Sequence, residues 1–264
     1  MVNKTIFGTY EWASKNANFI NGCSHDCLYC YSKEMAIRYK RKTIKNWDKE
    51  EINSSQLNKT YKRTEGTIMF PSSHDISLEN LDKSVEFLRS LLIPGNKVLI
   101  VSKPHLIVIK RLCKEFIDYK ENILFRFTIG SLDSQILNSW EPNAPSFEER
   151  FSSLKFAFKS GFKTSVSCEP MLDDRTYQLV KKLEPFVSDS IWVGKANYLI
   201  RRLKMNGHRD KKILCMATDL LESQNEVFIN ELYNLLKHDK KIKWKDSIKK
   251  ILKLDLSKVK GLDK

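Results

Sequence analysis

The chain has 264 residues, 41% of them hydrophobic, with mean hydropathy −0.42, and 46 Lys+Arg against 32 Asp+Glu give a formal net charge of +14 and a pI near 9.4. That length and apolar share suffice for a substantial core in one large domain, or one domain with an appendage, and no apolar run approaches the roughly 18 residues of a membrane span. With only 6 cysteines and no signal-like apolar stretch after Met1, an extracellular disulfide framework is disfavoured; the reading is a soluble cytoplasmic protein whose positive field would draw a polyanion such as nucleic acid.

Near the amino terminus, the segment from Asn21 to Tyr31 carries Cys23, Cys27 and Cys30 in the spacing C-x3-C-x2-C. Three thiolates on one short loop read as metal ligands. A four-iron cluster normally takes four, so one iron would lack a protein ligand. A structural zinc site would instead need His25 or a distant cysteine as its fourth ligand. The remaining cysteines, Cys113, Cys168 and Cys215, are scattered singly, whereas structural zinc sites usually pair two ligand clusters. Cys113, beside Leu112, Phe116 and Ile117, and Cys215, beside Met216, read as core residues.

The loop runs into an expected helix from Tyr31 to Lys42, closed by Arg38, Lys40, Arg41 and Lys42, after which residues 43 to 65 are polar and irregular. Thr67 to Phe70 is a short apolar strand ending at Pro71-Ser72-Ser73-His74-Asp75. Ser77 is placed to cap a helix whose apolar positions Leu78, Leu81, Val85, Leu88 and Leu92 step by three and four until Pro94-Gly95 stops it. Val98 to Ser102 is a buried strand, followed after Pro104 by a helix through Tyr119. Ile123 to Thr128 alternates as a strand, and Ser146 to Glu149 forms a capping box for a helix that Gly161 ends. Lys163 to Ser167, Asp174 to Leu183 and Ser190 to Val193 then repeat strand, helix, strand.

Strands starting roughly 25 to 40 residues apart have the spacing of right-handed crossover units, which predicts a parallel sheet covered by helices. About six units make an open, incomplete barrel over residues 1–209. In such a barrel chemistry gathers where strands end and the next loops begin. The Cys loop, the Ser72 to Asp75 turn, Lys103, Thr128 to Ser131 and Cys168-Glu169 all fall there. His74, Asp75 and Glu169 at this mouth are candidates for substrate binding or acid–base work.

Residues 210–264 read as a basic helical extension. From Lys237 to Lys264 there are 11 Lys and 4 Asp, so 11 − 4 gives +7, half the surplus of the whole chain. Ile242, Trp244, Ile248, Ile251, Leu252 and Leu254 interleave those lysines, as in an amphipathic helix with its lysines outward, free to meet phosphates. Arg201, Arg202, Lys204 and Arg209 upstream add to the same basic surface.

The C-x3-C-x2-C loop with an aromatic, Tyr29, just before its last cysteine resembles the signature of the radical S-adenosylmethionine (SAM) superfamily. The resemblance implies an α/β fold, a partial (β/α)6 barrel with a parallel sheet, and a 4Fe-4S cluster on Cys23, Cys27 and Cys30 whose fourth iron is chelated by SAM. It also implies reductive cleavage of SAM to methionine and a 5′-deoxyadenosyl radical, with an electron donor such as flavodoxin or ferredoxin. The segment EPNAPSFEERFSSLKFAFKSGFKTSVSCEP, from Glu141 to Pro170, and the Ser-Ser-His-Asp turn are similar to the branch holding spore photoproduct lyase and proteins labelled DNA repair photolyases. That likeness spans roughly Asn16 to Asn197 and implies Ser72 or Ser73 on the SAM amino group, Lys103 on its carboxylate, Thr128 and Ser131 near ribose and carboxylate, and Tyr29 behind the adenine. The branch's hydrogen-donating cysteine is replaced here by Ser72, which speaks against thymine-dimer lysis by the same relay and makes Cys168 the candidate substitute donor. The resulting expectation is a radical SAM enzyme that takes hydrogen from a nucleic acid or nucleotide, for repair or modification. A peptide or small-molecule substrate, or a non-catalytic zinc or iron-sulfur module that binds nucleic acid, are the alternatives.

Overall fold

Near-continuous apolar runs such as Ile68 to Phe70 and Val98 to Val101 make strands that can be covered on both faces, and here they pair in one large sheet. The computed structural model describes residue 6 and residues 8–261. Its strands are β1 (Lys15–Asn16), β2 (Ile20–Asn21), β3 (Glu51–Ile52), β4 (Thr67–Phe70), β5 (Lys97–Ser102), β6 (Ile123–Thr128), β7 (Lys163–Cys168), β8 (Ile191–Val193) and β9 (Ile242–Trp244). Seven of them form a sheet in the order β1-β4-β5-β6-β7-β8-β9, every pair parallel, while β2 and β3 form a separate antiparallel pair. Because spatial order follows chain order, every crossover steps the same way and the sheet curls into a half-barrel. The expected α/β partial barrel is what the chain builds.

The two faces of the sheet divide by parity. Ile68 and Phe70, Val98 and Ile100, Phe125 and Phe127, Val166 and Cys168, and Ile191 and Val193 join the large core that packs against the helices. Met69, Leu99, Val101 and Leu124 turn the other way, onto the concave inner face, where Ala13 and Trp12 cover them. Each fully buried Leu, Ile, Val or Phe stabilises the fold by about 1.5 to 3 kcal/mol, so a one-residue slip of any strand would exchange the two sets at large cost. Arg126 shares the inner face, its guanidinium between the rings of Trp12 (4.8 Å) and Trp192 (5.2 Å) and its Nε donating to Ser165 Oγ at 2.9 Å.

Several expected elements end elsewhere. The helix expected from Leu78 begins at Leu81, and Leu78 is exposed. Asn80 caps it by position without a side-chain cap bond: its Nδ2 donates to Glu50 Oε2 (2.8 Å) and Asp75 O (3.1 Å), and its Oδ1 accepts from Ser84 Oγ (2.8 Å). The helix after the Cys loop spans Tyr31–Arg38 rather than reaching Lys42; Lys40 adopts a left-handed φ of +56°, and the amides of Arg41 and Lys42 fold back on Ala36 O.

The largest correction concerns the basic extension. Residues 210–264 supply helices Lys211–Ser223 and Glu226–Leu236, but Ile242 to Trp244, expected on an outward-facing amphipathic helix, is strand β9. Ile242 and Trp244 are buried on alternate positions about Lys243, a period of two that three residues state too briefly to read. Lys245 and Lys249 are buried rather than presented outward. Upstream, Arg201 and Arg202 both engage Glu34, at 2.7 and 3.5 Å. Residues 210–261 thus complete the sheet rather than sit beside it. Among the described residues no helix is long and apolar enough to cross a membrane.

Candidate active site at the mouth of the half-barrel

The Cys loop is fixed at both ends. Gly22 holds φ +101°, and a Cβ there would lie 2.5 Å from Lys49 O and 2.7 Å from Trp47 O, so only glycine fits. Cys23 N donates to Trp47 O at 3.0 Å, Leu28 N donates to Trp140 O at 2.9 Å, and Asn206 Nδ2 donates to the carbonyls of Leu28 and Cys30 at 2.9 Å each. At its far end Cys30 caps the helix Tyr31–Arg38, its Sγ accepting from Lys33 N at 3.4 Å. Burial outweighs that amide and the positive end of the helix, which favour a thiolate, and raises the Cys30 thiol above its ordinary value. Cys23 and Cys27 are buried. Burial pushes the Cys27 thiol up to about 12; burial, then Asp75 and the other two thiols, raise Cys23 well above its ordinary value. Among the described residues no three His, Cys, Asp or Glu side chains converge as a site for a single ion.

Beside the loop stands Asp75, a carboxylate with little room left. It accepts from Ser102 Oγ (2.5 Å), Lys103 N (2.8 Å) and Ile76 N (2.8 Å), and meets His25 Nδ1 at 3.3 Å. Burial alone would raise its pKa, but His25, Lys103 and the Ser102 hydroxyl overcome this and hold it at about 2. Asp75, expected as an open acid or base, is a fixed anion joining the end of β5 to the Cys loop. Its folded pKa lies below the unfolded one, so the stabilisation is present above about pH 4 and is lost as pH falls toward 2, about 2 kcal/mol in all. Urea unfolding of wild type and Asp75→Asn should therefore differ most above pH 4 and converge toward pH 2; a constant gap across that window contradicts the assignment.

Lys103 extends from the end of β5 on the inner-face parity, over the Tyr29 ring at 5.8 Å and 3.8 Å from Glu141 Oε1. Burial opposes its charge, but Cys27, Tyr29, Glu141 and Asp75 lift its pKa well above the usual ammonium value. Tyr29 donates its hydroxyl to Glu141 Oε1, and Glu141 Oε2 meets Arg150 Nη2 at 2.5 Å, both side chains fully buried. Arg150 in turn donates to Thr128 O at 3.2 Å and Pro145 O at 2.8 Å. Glu141 and Arg150, which carry this network, had no role in the reading of the sequence beyond a place in a matching segment.

Other expected residues divide. Ser72 and Ser73 sit at the end of β4, their amides donating to Asn18 Oδ1 at 2.7 and 3.0 Å while Ser72 Oγ accepts from Asn18 Nδ2 at 2.8 Å. Asn18, which shapes this turn, is legible only in the fold. Thr128 shares the inner parity of Arg126, opposite Ser167 in register. Glu169 reaches Lys245 Nζ at 3.6 Å, and Lys245 also pairs with Glu11 Oε1 at 2.5 Å. Burial raises the pKa of Glu169 and pushes Glu11 up to about 7, against the pull of Lys245 in each case.

Three of the expected site residues lie elsewhere or are engaged by other groups. Ser131 is fully buried, donating to Asp173 Oδ2 at 2.5 Å and accepting from Asp133 N at 2.9 Å, so its hydroxyl is already committed. His74 packs edge-on between Phe19 (5.5 Å) and Phe70 (5.7 Å), and burial lowers its pKa, which withdraws it from the mouth. Cys168 has the parity of Val166 and lies in the core on the helix side, fully buried, its thiol pushed up to about 12 by burial and then Asp173. Ser167 has the inner-face parity and Cys168 does not.

A family model described as the radical SAM superfamily matches residues 17–183, more than half of the chain. The chain belongs to the radical SAM superfamily. The family uses an iron-sulfur cluster and SAM. A curated relative, the uncharacterized protein ORF301 of Acidianus two-tailed virus, is 24% identical over 166 residues, 58% of this chain and 54% of that protein. The chain thus spans about half the length of that relative. Among solved structures, spore photoproduct lyase complexed with dinucleoside spore photoproduct superposes with TM-score 0.53 at 16% identity, over 80% of this chain and 65% of that one. Streptococcus suis SuiB bound to S-adenosylmethionine gives TM-score 0.54 at 12% identity, over 94% of this chain and 54% of that one. At these identities the likeness is one of fold. The donor set of the loop fits the radical SAM cofactor: ionisation of the Cys23 and Cys27 thiols is opposed by burial and by other nearby thiols, and bound metal reverses that penalty.

Proposed function

We propose that Cys23, Cys27 and Cys30 hold a 4Fe-4S cluster with one iron left for SAM, and that the enzyme takes hydrogen from a nucleic acid or nucleotide. The observation that carries this reading is the anchored loop itself, presenting buried thiols beside Lys103 where the parallel strands end. When bound, the reduced cluster would supply the electron that splits SAM into methionine and a 5′-deoxyadenosyl radical. Lys103 stays charged in its nest of anions and offers an ammonium to a carboxylate. The Asn18-held turn sets Ser72 and Ser73 at the same mouth, and Thr128 lines it from the inner face. Tyr29, tied to Glu141, gives the loop a flat apolar wall. The substrate class is supported by the +14 net charge, which speeds encounter with a polyanion.

Removing the Lys103 ammonium deletes one charge-assisted contact, worth about 1.5 to 3 kcal/mol. Lys103→Ala should therefore weaken SAM binding roughly 10- to 100-fold at unchanged iron content, and unchanged SAM affinity would move the carboxylate site elsewhere. The substrate is tested by incubating the reduced protein and SAM with deuterated oligonucleotides, nucleotides or peptides. Deuterium in 5′-deoxyadenosine is expected from the oligonucleotide or nucleotide arm. Transfer from the peptide arm alone would overturn the substrate class and leave the SAM chemistry standing.

A further inference from the structure

A basic groove on the flank of the half-barrel lies outside the residues assigned to the cluster and SAM. At the outer edge of β1 it encloses about 590 Å³, and its walls include Lys15, Lys59, Lys62, Lys260, Tyr10 and Tyr61. No carboxylate lines it, the four lysines are exposed, and among the described residues none of them pairs with an acid. They come from three distant segments of the chain, so the fold, not a run of sequence, concentrates the charge. Two of the groove ammoniums hover over rings, Lys260 at 4.0 Å from the centre of Tyr10 and Lys59 at 5.6 Å from that of Tyr61. Cations interleaved with aromatic faces suit a chain of phosphates whose unpaired bases can stack.

The groove also has a direction. Asn18 is part of its lining, and the same side chain accepts from the amides of Ser72 and Ser73 at the candidate active site. At Asn18 the groove therefore comes within one residue of the mouth. The volume lies in the range of about 300 to 1,000 Å³ that holds small ligands, enough for a short stretch of one strand and too little for a duplex.

We propose that this groove binds the phosphate backbone of single-stranded nucleic acid, stacking bases on Tyr10 and Tyr61, and so holds the strand flanking the nucleotide at the mouth. The inference rests on the nucleic-acid reading of the proposed function. It also places phosphate binding at the groove rather than on the carboxy-terminal helices.

The test is fluorescence anisotropy of a labelled 12-residue oligothymidylate with the full chain over a potassium chloride series. Each phosphate neutralised on a single strand contributes about −0.7 to the slope of log K against log salt. Replacing Lys15, Lys59, Lys62 and Lys260 together by Ala should flatten the slope by about three units. Replacing the exposed Lys211, Lys212, Lys237 and Lys240 together by Ala should leave it nearly unchanged. Tyr10→Leu should weaken binding about tenfold at constant slope, and unlabelled duplex of the same length should compete less well than single strand. A slope that survives the groove substitutions, or falls equally with the control set, overturns the groove while the nucleic-acid reading stands. Better competition by duplex overturns the single-strand preference. Absence of binding at low salt overturns the groove and the nucleic-acid reading together.

Discussion

Cys27→Ala is expected to strip most of the iron from protein purified without oxygen and to abolish reductive cleavage of SAM. The loop offers three thiolates and no spare, since Cys113 belongs to the helix-side core, Cys168 faces the same core from the end of β7, and Cys215, read from the sequence as a core residue, is exposed on the helix Lys211–Ser223. A cluster left with two thiolates from this loop loses a ligand that nothing nearby replaces. Cys23→Ala and Cys30→Ala should behave alike, and Cys113→Ala should change neither iron nor SAM cleavage. Iron and acid-labile sulfide per chain, the visible absorbance and the yield of 5′-deoxyadenosine check it. A full four-iron complement in Cys27→Ala, or its loss in Cys113→Ala, would falsify the ligand assignment.

What could be read from the chain was what repeats or clusters in sequence. The strands from Thr67 to Phe70 and from Ile123 to Thr128 carry enough apolar residues to announce themselves, and both lie where the sequence places them. The Cys loop is legible because its three ligands lie within eight residues. β1 was not, because Lys15 and Asn16 are polar, exposed and only two residues long. They form a strand because β4 offers a template edge, which no local propensity records. The placement of Cys168 turns on parity: in β7 the helix-facing Thr164, Val166 and Cys168 alternate with Ser165 and Ser167, and Val166 alone is apolar enough to mark a face. Asn18, which shapes the serine turn from 54 residues away, and Lys245, which binds Glu11 across the sheet, needed the fold to bring them together.

Glu141 is the residue whose loss should cost the fold most around the site. Its Oε2 meets Arg150 at 2.5 Å with both side chains at 0% exposure, and its other oxygen accepts the Tyr29 hydroxyl from 112 residues away. Burial would push the carboxyl up, yet Arg150, Lys103 and the Tyr29 hydroxyl hold it low, so Glu141 is an ion with a full set of partners. Glu141→Ala leaves the Arg150 guanidinium charged and unpaired in the core, and breaking a buried pair in this way costs about 3 to 5 kcal/mol. Tyr29→Phe removes one hydrogen bond while keeping the pair, so its cost should be about 1 kcal/mol. Adding Arg150→Met to Glu141→Ala should recover part of the loss, since an apolar side chain of similar length needs no partner. Urea unfolding of the four proteins measures this ordering. A Glu141→Ala loss under about 1 kcal/mol would mean that water reaches the pair. A larger loss should extend to the cofactor, because Trp140 O accepts from Leu28 N while the adjacent Glu141 holds Tyr29. Both anchors lie between Cys27 and Cys30, so Glu141→Ala should also shed iron faster to a chelator than Tyr29→Phe does.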